Sequence, residues 1–231
     1  MDHEKSRSGK FELISIDRVM NEGITKVNPS ARIEINQYTE KLKNTELDSQ
    51  KVDYLKSLAS IWYAESIPLL SGHYAEQIAD IKKDALSWSI AGTTYSIAAQ
   101  RSTDDQERQY SIGKSRLAFE NSLSIDPKDI DNKINLALTY VEAPLEDNPM
   151  KGILMLRDLN VANPENVPVI MQLARLSIQT GQYDKAVDRL EKVIELRPNF
   201  RDAFCMLAEV MRQKDDMTSA AQYQLKCDNI K

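Results

Sequence analysis

The chain is 231 residues long, 42% hydrophobic and carries a formal net charge of −5, so it is too apolar for disorder throughout and long enough for one sizeable core or a repeat array. Basic residues are interspersed with acidic ones rather than gathered on one stretch, which argues against a phosphate-tracking surface and so against nucleic acid as a partner. No run of 18 or more uncharged apolar residues is present to cross a membrane.

Seven glycines and eight prolines are few for a loop-rich all-β protein, while Ala, Leu, Ile, Lys, Glu and Gln fill the stretches between breakers, so the predicted fold class is all-α. The opening MDHEKSRSGK is charged and lacks the apolar centre of a signal peptide. Residues 1–30 read as a variable, partly ordered arm, in which Gly9, Gly23 and the Asn28-Pro29-Ser30 stop frame a modest apolar run at 11–20. Residues 31–231 read as a helical repeat domain, beginning with a helix over 31–43 that carries Ile33, Ile35, Tyr38 and Leu42.

Five helix pairs follow, with approximate bounds 52–80, 85–128, 129–166, 167–200 and 201–231. The first is degenerate: Leu55, Leu58, Ala59 and Trp62 mark one helix, and Pro68 opens another with Tyr74, Ala75, Ile78 and Ala79. In the second, Trp88, Ala91, Gly92 and Tyr95 precede a polar turn at 101–108 and a helix with Phe119, Leu123 and Ile125. The third holds Leu136, Ala137 and Tyr140, then an insertion, APLEDNP, then Gly152, Leu156, Leu159 and Ala162. The fourth runs through Leu173, Ala174 and Ser177 to Gly181, then Tyr183, Ala186, Leu190 and Val193 to Pro198, whose missing amide donor ends the helix. The fifth repeats it with Phe204, Leu207, Ala208, Met211, Ala220 and Cys227. Leu173 to Leu207 and Ala186 to Ala220 are each one repeat of about 34 residues apart.

These residues resemble the tetratricopeptide repeat pattern, strongly after Pro164 and with insertions before it. More loosely, the chain resembles small bacterial members of that family that often carry an amino-terminal membrane anchor. The resemblance implies an all-α, right-handed superhelix, an α-α solenoid, because a single helix pair cannot bury its apolar stripe and must stack on its neighbours. It also implies a concave groove lined by the first helix of each pair. Carried onto this chain, the groove positions include Leu138 and Val141, then Met171, Arg175, Ile178 and Gln179, then Cys205, Glu209, Arg212 and Gln213. The lysine and asparagine clamp with which some family members hold a terminal carboxylate is not matched. Arg175, Glu209 and Arg212 are the expected polar ligand contacts.

Catalysis has little to rest on. His3 and His73 are far apart and read as surface residues, Asp104, Asp105, Asp215 and Asp216 as turn or capping residues, and no phosphate loop or nucleophile elbow is present. No metal site, cofactor or small-molecule substrate is implied. Of Met150, Met155, Met171, Met206, Met211 and Met217, all but Met171 are expected in the core. Cys205 and Cys227 have no partner at ligand spacing and are expected as unpaired thiols, which favours the cytoplasm, with a periplasmic or membrane-anchored location if an anchor precedes the sequence. The expected function is a non-enzymatic scaffold or adaptor that takes a segment of another protein in the groove. The alternative is an assembly protein that oligomerises through its terminal helix, where Ala221, Tyr223, Leu225 and Cys227 are the apolar candidates.

Overall fold

A computed structural model describes residues 14–230, and among them are twelve α-helices and no strand. The chain forms two compact units divided between Pro149 and Met150, a boundary that falls inside the third expected pair, 129–166. His3, Gly9 and the start of the apolar run at 11–20 lie outside the described residues.

The first unit holds α1 (Ile16–Lys26), α2 (Pro29–Lys43), α3 (Asp48–Ala64), α4 (Pro68–Lys82), α5 (Ala85–Arg101), α6 (Asp105–Ile125) and α7 (Ile130–Glu142). Of the arm expected over 1–30, the described part contains α1, whose Val19 and Gly23 are buried. Several helices start on a residue whose short side chain accepts a hydrogen bond from the first-turn backbone: Asn28 from Ala31, Asp84 from Ser87, Asp104 from Glu107 and Asp129 from Asn132. Each such cap satisfies one of the amide donors that a helix start leaves without an internal partner.

Two glycines set the packing distance between successive helices in this unit. A Cβ added at Gly72 of α4 would lie 2.8 Å from the Tyr95 ring of α5, and one at Gly92 of α5 would lie 2.8 Å from the Phe119 ring of α6. Tyr95 and Phe119 are both fully buried, so each ring occupies the space its glycine leaves. The same device joins α1 to α3, where a Cβ at Gly23 would sit 3.0 Å from Trp62.

The second unit holds α8 (Lys151–Ala162), α9 (Val167–Gln179), α10 (Tyr183–Leu196), α11 (Arg201–Gln213) and α12 (Met217–Asn229). The repeat legible in the sequence recurs here in the backbone. Gly181 has φ +70° and Asp215, one repeat later, φ +61°. The amide of Gln182 donates to Ser177 O at 2.8 Å, and that of Asp216 to Met211 O at 3.0 Å, so both turns close by the same six-to-one bond. Ala174, Ala186 and Ala208 are fully buried and Ala220 nearly so, the small residues that let the axes approach.

Three sequence expectations are corrected here. Cys205 and Cys227 are not free thiols: they form a disulfide joining α11 to α12, with Cα atoms 5.0 Å apart. Met171, expected in the groove, is 4% exposed and belongs to a core cluster with Ala174, Leu190 and Val193. The two corrections have one cause, because Met171 and Val193 stand one repeat before Cys205 and Cys227, and that pair of positions faces inward between the two helices of a pair. Met150 and Met217, expected in the core, are instead 50% and 62% exposed, since each sits where a helix begins and projects beyond the packed face.

Candidate partner-binding groove

In the first unit, α3 and α5 flank a cavity of about 360 Å³ whose floor is α4. Lys56, Ala59, Ser60 and Tyr63 line it from α3, Ala75 and Ile78 from α4, and Ser87, Ile90 and Thr94 from α5. The spacing places these residues at intervals of three and four, so each helix contributes a single stripe. Tyr63 is 40% exposed and Ile90 51%, an open apolar surface rather than a sealed core. Arg101 lies over the Tyr63 ring at 5.4 Å and Lys82 pairs with Asp84 at 2.8 Å, so the rim is polar while the floor is apolar. The sequence reading missed this groove because it weighted the well-matched repeats after Pro164. Its signal was present in Ile90 and Thr94, one turn apart and outside the repeat's core positions.

The expected groove residues fall in both units. Leu138 and Val141 lie one turn apart on α7 of the first unit, both partly buried. In the second, Arg175 and Gln179 are exposed on one face of α9, with Ile178 half-buried beside them, and Arg175 makes no ion pair with any described residue. On α11, Arg212 is already engaged: it pairs with Glu209 at 2.9 Å and donates to Gln224 Oε1 of α12 at 3.3 Å, while Gln213 donates to Glu209 Oε1 at 2.9 Å. These bonds, Gln213 first and Arg212 second, hold the Glu209 carboxyl below its ordinary pKa. The disulfide removes Cys205 from the set, and Met171 is in the core. Arg175 is therefore the charged groove candidate that remains free to meet a ligand, with the exposed Gln179 beside it.

Most buried polar groups of the first unit are internally satisfied, Trp62 Nε1 and Ser111 Oγ being the exceptions among the described residues. Arg116, 8% exposed, donates to Thr139 O at 2.9 Å and Ala143 O at 2.7 Å and lies over the Tyr140 ring at 4.1 Å, closing the carboxy-terminal end of α7. Glu76 accepts from Tyr95 Oη at 2.7 Å and from Lys114 Nζ at 2.8 Å. Burial, then the Glu76 charge, pushes the Tyr95 phenol far up, which keeps it a neutral donor. His73, expected at the surface, is half-buried at 2.9 Å from Gln77, and burial holds its pKa down. Among the described residues no group of three His, Cys, Asp or Glu is placed to hold a metal ion.

A tetratricopeptide repeat family model matches residues 153–210. Residues 153–210 are tetratricopeptide repeats. The matched segment runs from α8 into α11 and so covers most of the second unit. Among solved structures, MamA 41-end from Desulfovibrio magneticus RS-1 is 14% identical with a TM-score of 0.54, over 78% of this chain and 94% of that one. A further crystal structure of MamA is 13% identical with a TM-score of 0.51, over 74% and 92%. At these identities the likeness is one of fold, and it extends the repeat architecture well beyond the matched segment. No curated protein matches the sequence significantly. No helix of the described residues is long and apolar enough to cross a membrane.

Proposed function

We propose that this repeat protein is a non-enzymatic adaptor, and that the groove between α3 and α5 takes an apolar side chain from an extended or helical segment of a partner protein. Tetratricopeptide repeats are protein-interaction modules, which supports the adaptor role. The observation that carries the groove is the pairing of Tyr63 and Ile90, both substantially exposed, across an apolar cavity of about 360 Å³. That volume suits one or two large side chains, and a partner seated there would remove apolar surface from water on both sides. Arg175 on α9 is proposed as a second, polar contact of the same adaptor.

The test is affinity capture from lysate of the native organism with wild type, Tyr63→Ser/Ile90→Ser and Arg175→Ala, with bound proteins identified by mass spectrometry. A protein bound by wild type and lost from the double variant supports the groove. Equal capture by all three removes both contacts from the proposal.

One observation favours a second reading, self-assembly through α12. Met217, Ala221 and Leu225 stand at i, i+4 and i+8 and all are exposed, Leu225 by 64%. Of the other residues expected on that patch, Cys227 is buried in the disulfide and Tyr223 packs towards Phe204, ring centres 6.4 Å apart. A concentration-independent monomer mass in sedimentation would end this reading. The disulfide also bears on location: it supports an oxidising compartment, against the cytoplasmic placement that free thiols would favour.

A further inference from the structure

The second unit contains a cavity of about 480 Å³ bounded by α8, α9 and α10. It uses a face of α9, that of Leu173, Leu176, Ser177 and Thr180, turned away from the one that carries Arg175. Three cations reach into it: Arg157 from α8, Lys185 and Arg189 from α10. None of its lining residues is a carboxylate, although the chain as a whole has 35 acidic residues against 30 basic ones. We propose that this cavity is an anion site that takes the carboxylates of an acidic, leucine-bearing segment of a partner protein.

Each component of the site is explicable only in part by folding. Arg189 is half-buried and donates through Nη1 to the hydroxyl of Ser177, itself 5% exposed, which fixes the guanidinium at the cavity wall. Its remaining donors point to no carboxylate. Arg157 lies close enough that its positive charge opposes that of Arg189, and Asp188, the carboxylate that acts in the other direction, does not line the cavity. Arg157 makes no ion pair with a described residue, and the Lys185 ammonium meets only the neutral Gln182 side chain, at 2.7 Å. Asp188 offsets part of this repulsion from outside the cavity, but no carboxylate lines the cavity itself, and an incoming one would meet both guanidinium groups directly. Ile153, Leu173 and Leu176 supply an apolar floor beneath the charges. A segment that fits must therefore offer acidic side chains to the rim and an aliphatic one to the floor. Guanidinium groups favour such planar, two-oxygen partners.

The experiment uses the full chain and a fluorescein-labelled, terminally blocked peptide EELLEE, with QQLLQQ as the uncharged isostere. Binding is followed by anisotropy for wild type, Arg157→Ala/Lys185→Ala and Tyr63→Ser/Ile90→Ser, each checked for unchanged thermal unfolding. Arg157 and Lys185 are exposed, so their loss leaves the core intact. The expected result is salt-sensitive binding of EELLEE to wild type, weakened at least about tenfold in the Arg157→Ala/Lys185→Ala variant, as befits loss of charge-assisted hydrogen bonds. The Tyr63→Ser/Ile90→Ser variant should bind as wild type, which separates this site from the groove proposed above. Equal binding of QQLLQQ, equal binding by the Arg157→Ala/Lys185→Ala variant, or no binding of EELLEE would each overturn the proposal. So would displacement of the peptide by inorganic phosphate at equal concentration, which would make the cavity a simple anion site. Preferential binding to phosphatidylglycerol vesicles over the peptide would reassign it to a membrane surface and also refute it.

Discussion

Reduction of the Cys205–Cys227 disulfide gives the sharpest test of how the carboxy-terminal helix pair is held. The cysteines are 22 residues apart, and closing a loop of that length removes roughly 3 kcal/mol of chain entropy from the unfolded state. Other contacts join the same two helices: Arg201 Nε donates to Cys227 O at 3.1 Å, Lys226 sits over the Phe204 ring at 5.4 Å, and Phe204 packs towards Tyr223. The crosslink adds to this packing in holding α12 on α11. In a unit of this size, with a urea dependence on the order of 1 kcal/mol per molar, reduction should lower the midpoint by roughly 2–3 M. The assay is urea unfolding by far-ultraviolet circular dichroism, with and without reductant, alongside thiol counting in the denatured, unreduced protein. Both tryptophans, Trp62 and Trp88, lie in the first unit, so their fluorescence reports that unit separately and should shift less than the dichroism does. Two reactive thiols before reduction, together with an unchanged midpoint, would refute the crosslink and restore free cysteines.

Two further outcomes follow from the first unit. Gly92→Ala should destabilise by about 1–2 kcal/mol, because the clash with a buried Phe119 outweighs the roughly 1 kcal/mol that alanine gains over glycine in a helix. In combination with Phe119→Leu the penalty of Gly92→Ala should shrink by more than about 0.5 kcal/mol in a double-mutant cycle, and strict additivity would show that α5 and α6 do not meet there. Burial holds the His73 pKa below its ordinary value of 6.5, so the unfolded chain takes up the proton first. The stability this contributes is full above the ordinary value and is lost as pH falls through it towards the folded pKa. Urea midpoints read by tryptophan fluorescence at pH 7.5 and 5.5 should therefore drop in wild type and drop less in His73→Asn. An identical drop would place the titration elsewhere.

The repeat was legible because it is a packing constraint. Ala186 and Ala220, Leu173 and Leu207, and the turn at Gly181 and Asp215 recur in sequence as they recur in the backbone, since each position must meet the same neighbour in successive pairs. The glycines of the first unit were less legible. Gly72 and Gly92 sit inside helices where composition alone registers only a cost, and their purpose lies in rings contributed by the following helix. The disulfide was within reach of the repeat register. Its cysteines replace Met171 and Val193 of the preceding pair, and reading those as an inward-facing couple would have joined Cys205 to Cys227. The error lay in treating the position shared by Met171 and Cys205 as a groove position when helix packing buries Met171 and sets Cys205 against Cys227. Which charges remain free was not readable at all. Arg175 and Arg212 look alike in sequence, but Arg212 is occupied by Glu209 and Gln224, contacts that depend on rotamers and on the neighbouring helix.

The decisive measurement is a titration calorimetry comparison, in which the protein captured by wild type is purified and its affinity measured for wild type and for Tyr63→Ser/Ile90→Ser. Losing two exposed apolar contacts that the partner would cover should weaken binding by roughly 10–100-fold with the melting temperature unchanged. Equal affinity for the two would show that the groove between α3 and α5 does not hold the partner.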